Sequence, residues 1–314
     1  MKKFVIWTCI IAAICLVAGV LLIGFGRSLG AGGWSYNIKT GEYRTSDKLY
    51  EGSEKVDAFD SLDIDVPSAD IVLKKGDGYM VEYRLEAEPV IENKGNTLSI
   101  RIKDDSVLTL SLGTTVADYI YITVPSDDTV YESAIEFSSG SFTSDDINLQ
   151  GKIEYSSGKA AVSGVKKSNR LFFDLSSGKA DLKDSKIDDV DIKIVSGDVS
   201  IKNCEMDNLS YDASSGDLDI TDVRARKFNS KASSGKSNIV KLSSDEITME
   251  KSSGKTDIEI NGKEEDYSVD VDVSSGDVRV GSVESNGDVH IEKNTEKFIK
   301  MNSSSGDVNI SFAE

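Results

Sequence analysis

The chain contains one histidine, His290, in the run GDVHIEK. A hydrolytic Ser-His-Asp arrangement would depend on it entirely, and no G-x-S-x-G elbow accompanies it. A single histidine inside an alternating run reads as a surface residue of a strand. Histidine-rich zinc spacings and H-E-x-x-H are absent. SSGKSNI holds Gly235, Lys236 and Ser237, but a phosphate-binding loop also needs a glycine five residues before the second, and Ser230 stands there. SGVK at 163–166 and KTG at 39–41 share letters with penicillin-binding enzymes, in the wrong order and without helical context. No catalytic residue and no cofactor follow from these motifs.

The charged residues that remain in register are those following a recurring glycine. They are Lys159, Lys179, Asp198, Asp217, Lys236, Lys255, Asp277, Asp288 and Asp307. Stacked copies would pair Lys179 with Asp198, Asp217 with Lys236 and Lys255 with Asp277. Exposed pairs of this kind contribute about 0–1 kcal/mol each. The run Asp277, Asp288 and Asp307 that follows contains no basic residue and forms a candidate row for a cation or ligand. The glycine-rich nonapeptide of calcium-binding repeats is missing. Carboxylates along a β-helix also raise polysaccharide cleavage, which needs two of them set in a groove. Near-identical Ser, Lys and Asp in every copy argue against a dedicated active site.

The elements that position these residues are repeats. The glycines are Gly140, Gly158, Gly178, Gly197, Gly216, Gly235, Gly254, Gly276 and Gly306, with Gly287 in the degenerate copy ESNGDVHI. Their spacing settles at 19, with an irregular step of 11 before Gly287. Fixed periods of this size mark stacked repeat architectures. Apolar residues fall at odd offsets before the glycine, such as Phe137 and Ile135 or Leu175 and Phe173. After it they fall at even offsets, such as Val199 and Ile201 or Leu218 and Ile220. Alternation of period 2 is strand on both sides, and the change of parity requires a bend or bulge at Ser-Ser-Gly. Parity places the second serine inside the bend, where stacked copies would form a hydroxyl ladder. A third inward position falls near +7, at Val165, Cys204, Val223, Leu242 and Val283. Cys204 then reads as a small buried hydrophobe.

Residues 131–314 therefore predict an all-β solenoid, or closely related repetitive β-sheet stack, with coils of about 19 residues. Nine to ten coils at strand spacing give a rod of roughly 45 Å. Residues 55–130 read as a diverged β cap: PSADIVL aligns with SSGDLDI, setting Ala69 at the glycine position and Asp70 at the charged one. A solenoid needs such a cap, because an open edge recruits other strands.

At the N-terminus, Phe4 to Gly26 is free of charge for 23 residues, about 34 Å as a helix. Residues 1–30 are expected to form an uncleaved transmembrane helix. Lys2 and Lys3 would hold the N-terminus in the cytoplasm and leave the rest of the chain extracytoplasmic. Residues 31–54 read as a flexible tether. Cys9 and Cys15 lack the small preceding residue of a lipoprotein signal. The net charge is −18, which makes nucleic acid a poor partner.

The opening FDSLDIDVPSADIVL, the strand YIYITVP and the serial SSGDVxI copies together resemble a bacterial family of adhesin-like envelope proteins, exemplified by the LiaG-like proteins. The resemblance covers roughly residues 55–314. It implies a membrane-anchored or exported β-repeat protein, linked in some members to envelope-stress responses, and it supplies no catalytic residues. The reading is a single-pass membrane protein with a non-enzymatic domain for adhesion or envelope interaction. Its partners would be the membrane, through the N-terminal helix, and a cell-wall polymer or envelope protein. An envelope-stress regulator and a carbohydrate-active β-helix enzyme are the alternatives.

Overall fold

A computed structural model describes residues 34–37, 43–45, 49–102, 109–112, 118–125 and 128–313. The expected membrane span over 1–30 lies outside them. Among the described residues no helix is long and apolar enough to cross a membrane. The single helical element described is one 3-10 turn, Glu264–Asp266; the rest of the regular structure is strand.

Successive repeats stack in parallel and in register. Val130–Asp145 pairs with Asn148–Tyr155 and with Lys159–Ser163. Both of these pair with Arg170–Lys183, which pairs with Asp189–Ser234. Asp189–Ser234 runs for 46 residues, because backbone pairing continues around the corners of more than two coils. Each coil has three walls. Around Gly216 the inward residues are Leu209, Tyr211 and Ala213, then Leu218 and Ile220, then Val223 and Ala225, all at most 5% exposed. The apolar alternation on both sides of the glycine is thus the inside of the solenoid.

The first corner is the Ser-Ser-Gly bend, built differently from expectation at the serine. Ser196, Ser215 and Ser253 are exposed, and no inner hydroxyl ladder forms. Between the inward residues at −3 and +2, the chain bulges outward over Ser, Ser, Gly and the charged residue. That bulge, not an inward serine, absorbs the change of parity. The second corner lies six residues after the glycine. Asp146, Asp184, Asn203, Asp222 and Lys241 sit there with φ between 49° and 57°, in the left-handed region that Asn and Asp tolerate best among residues with a side chain.

The glycines form one row. A Cβ on Gly235 would overlap the carbonyl oxygen of Gly216, and the same contact repeats along the stack from Gly140 on Ala69 to Gly276 on Gly306. Ala69 pairs with Gly140 and Asp70 with Ser141, as the alignment of PSADIVL predicts. Ten layers at about 4.8 Å give an axis of about 43 Å from Ala69 to Gly276.

The order of coils departs from chain order at the C-terminal end. Phe298–Ser303 and Val308–Ala313 pair with Glu246–Lys251 and Thr256–Asn261 on one side. On the other side they pair with Ser268–Val273 and Val278–Val280. The last repeat is therefore inserted between its two predecessors. Val283–Ser285 and Val289–Ile291 explain why: they fold back antiparallel onto Val278–Val280 and Ser268–Val273 and occupy the outer edge. Val283, expected inside, is 40% exposed on this fold-back, and Gly287 lies outside the glycine row.

At the other end Ser61–Gly76 pairs with Thr97–Ile102 and Tyr119–Pro125. Those are covered in turn by antiparallel strands Pro89–Lys94 and Met80–Leu85. Tyr50–Lys55 adds to Met80–Leu85. The tether expected over 31–54 is thus strand in part, including Trp34–Asn37 and Tyr43–Thr45, which form a small sheet with Thr109–Leu112.

Candidate functional site

The inward position three residues before the corner glycine sets the girth of the solenoid. In the early coils it holds Phe137, Tyr155, Leu175 and Ile194; in the later ones it holds Ala213, Ala232, Lys251 and Ser303, with Val273 in the outermost. Alanine and serine no longer fill the wall next to the corner, and the Lys251 side chain reaches to Ser237 and Thr256 instead. A cleft of about 510 Å³ opens there across five coils. Its rim carries the outward residues of the same strands: Asp212, Lys231, Glu250, Asn302 and Asp272 in axial order, with Ser233, Ser252, Ser274 and Ser304 beside them. Lys231 and Glu250 pair across adjacent coils at 3.1 Å. The surface offered is a row of hydroxyls, an amide and charges of both signs, without an aromatic side chain among the lining residues.

Lys251 is the exceptional member. It stands at an inward position and is 5% exposed. Its Nζ donates to Ser237 Oγ at 3.2 Å, to the Lys255 carbonyl at 2.9 Å and to Thr256 Oγ1 at 3.3 Å. Ser237 and Thr256 are themselves inward residues of successive coils, 2% and 0% exposed. Burial pushes the ammonium down to about 8, against the pull of Asp217 and Asp257. A charged group in a dry interior is sustained only by such a set of acceptors.

The expected acidic row is divided. Asp307 stands between Lys255 and Asp277, because the last coil is inserted there. Asp307 Oδ1 accepts the Asp277 backbone N–H at 3.2 Å. Asp288 lies apart and accepts the Val273 N–H at 3.2 Å. The pairing of Lys255 with Asp277 therefore does not form; Lys255 bonds Asp257 at 2.9 Å. Lys179 likewise pairs with Asp181, at 3.3 Å, and Lys159 reaches the same carboxylate at 3.0 Å. Burial pushes the Asp181 carboxyl up, but the two lysines outweigh it and hold it below its ordinary value. Asp217 accepts the Lys236 backbone N–H at 2.8 Å. The nine expected corner glycines, Gly140 through Gly276 and Gly306, share the row of close contacts.

Cys204 is buried, as expected, with its thiol near the Lys202 carbonyl at 3.1 Å. Burial pushes the thiol up to about 11, so almost no thiolate exists at neutral pH.

His290 has more company than its sequence context suggested. It lies opposite Asp270 across an antiparallel pair. Its Nδ1 is 2.5 Å from Asp270 Oδ1 and its Nε2 is 3.6 Å from Asp272 Oδ1. Fold-back of Val289–Ile291 onto Ser268–Val273 creates this cluster, and no periodic signal announces it.

The cleft is signalled in the sequence by alanine at two successive −3 positions, Ala213 and Ala232. Its continuation onto Asn302 before Asp272 depends on the inserted coil.

The family model described as Toastrack DUF4097 matches residues 59–311. No curated protein matches the chain. Among solved structures, a candidate adhesin from Bacteroides fragilis is similar at 13% identity, covering 84% of this chain and 97% of its own, with a TM-score of 0.45. A candidate lipid-binding protein from Parabacteroides distasonis is similar at 16% identity, covering 85% and 98%, with a TM-score of 0.49. A candidate adhesin from the same organism is similar at 11% identity, covering 83% and 97%, with a TM-score of 0.47.

Proposed function

We propose that this chain, which belongs to the Toastrack DUF4097 family, is a non-enzymatic surface-interaction module whose five-coil cleft takes a segment of a cell-wall polymer. The cleft carries the reading. It spans five coils and is lined by serines, Asn302 and charged groups of both signs. Hydroxyls, amides and paired charges match a hydrated polyol, whose own hydroxyls donate and accept in equal measure. An elongated ligand suits a groove made by repetition, since four of the five coils place a serine at the same point beside it. The uncharged run from Phe4 to Gly26 supports retention in the membrane, with the solenoid on the outer side. Nucleic acid does not suit a chain that carries 54 acidic residues against 36 basic ones.

The test is to incubate the full-length chain with purified cell-wall polymer, then to measure both sedimented protein and polymer length. Retention of the protein with unchanged polymer length is expected. Shortened polymer without retention would replace this reading with a carbohydrate-active enzyme.

A further inference from the structure

The structure gathers a group of side chains that the repeat does not require. Asp270 and Asp272 project outward from Ser268–Val273, two residues apart on one face. His290 projects beside them from Val289–Ile291. One ligand atom from each lies within 4.8 Å of the others. The three carry different partners. One Asp270 oxygen meets His290 Nδ1 at 2.5 Å, and the other lies 3.9 Å from Lys300 Nζ. Asp272 has one ionic neighbour among the described residues, His290 Nε2 at 3.6 Å.

We propose that His290 Nε2 and Asp272 form a binding site for a divalent transition-metal ion, with Asp270 as the residue that positions the imidazole. An Nδ1–H donated to Asp270 leaves the Nε2 lone pair free on the side of Asp272, because a neutral imidazole carries one N–H. Metal-bound histidines commonly donate their other ring N–H to a carboxylate, which fixes the tautomer and raises ligand basicity. A tetrahedral ion with bonds of about 2.0–2.1 Å separates its ligand atoms by about 3.3–3.4 Å. The separation of 3.6 Å between Nε2 and the Asp272 oxygen is close to that edge. Imidazole plus carboxylate suits zinc, whereas calcium takes six to eight oxygens. Lys300 stands in register with Asp270, and Asn302 with Asp272. Asp272 also lines the cleft, so the ion would stand at the cleft's terminal coil. With two protein ligands, water or a ligand group completes its coordination.

Because the chain has one histidine, its imidazole resonances report this site without ambiguity. The experiment is a Zn²⁺ titration of the tag-free full-length chain in detergent micelles at pH 7.5, followed by the histidine ¹H–¹⁵N correlation. Saturable movement of the His290 signal below about 0.2 mM Zn²⁺ is expected, with none from Ca²⁺ at the same concentration. Asp272→Asn should weaken binding at least tenfold and Asp270→Asn about tenfold. An unmoved signal at 1 mM Zn²⁺ would overturn the proposal. So would an Asp272→Asn variant, folded by circular dichroism, that binds as tightly as the native chain. A signal that responds to pH alone would make the cluster a plain histidine–carboxylate ion pair.

Discussion

Lys251 shows how much one residue's role depends on distant parts of the chain. Its inward orientation is legible from the parity before Gly254, where the early coils place Leu175 or Ile194. Its tolerance inside is not, because the acceptors are Ser237, from the preceding coil, and Thr256 and the Lys255 carbonyl, from beyond the corner. The folded-state value of about 8 lies below the ordinary 10.5. Between those values the unfolded chain binds more protons than the folded one, so the Lys251 contribution makes the fold more stable as pH rises through that window. Comparing wild type with Lys251→Met isolates the effect. The difference in unfolding free energy should move toward wild type by about 2 kcal/mol between pH 8 and pH 10.5. Urea unfolding at the two pH values measures it, and a constant difference would remove Lys251 from the charged interior. His290 was less legible still, since its neighbours arrive through an antiparallel fold-back outside the 19-residue period.

The corners decide what the strands can do. The change of parity across Ser-Ser-Gly announced a bend, but parity alone counted the second serine as inward. Four consecutive residues in fact face outward or lie edge-on, from −2 to +1, so the serine hydroxyls remain in solvent. The second corner was missed, although Asp or Asn recurs six residues after several of the glycines, at Asp184, Asn203 and Asp222. Its left-handed backbone is a weak signal in a chain already rich in aspartate. Gly235 tests the tightness of the first corner. Its φ of +117° and its contact with the Gly216 carbonyl leave no room for a methyl group. Gly235→Ala should cost more than about 2 kcal/mol in chemical denaturation, from backbone overlap added to conformational strain. Gly95, also at positive φ but with open space around it, should cost only about 1 kcal/mol. Equal losses at the two positions would show that packing of the glycine row contributes nothing.

Across the whole molecule, the repeat period made the solenoid and the Ala69 register readable, while the axial order of the last coils was not. Periodicity specifies which residues face inward; it does not specify which edge a coil will join. The final repeat joins the inner edge because the fold-back strands occupy the outer one. Removing residues 298–314 should therefore do more than shorten the rod. It would separate Ser268–Val273 from Glu246–Lys251, and amide exchange should accelerate in both, well before the truncation point. Loss of protection confined to the very last strands would contradict the inserted order. The cleft depends on the same order, since Asn302 lies between Glu250 and Asp272. Its claim to bind a polymer is tested most directly by co-sedimentation of wild type and Ser252→Trp with purified cell-wall polymer. Ser252 is an exposed rim residue, so an indole there fills the cleft without entering the core. Retention of wild type is expected, with at least a tenfold weaker apparent affinity for the folded variant. Equal retention of the two proteins, or retention of neither, would contradict it.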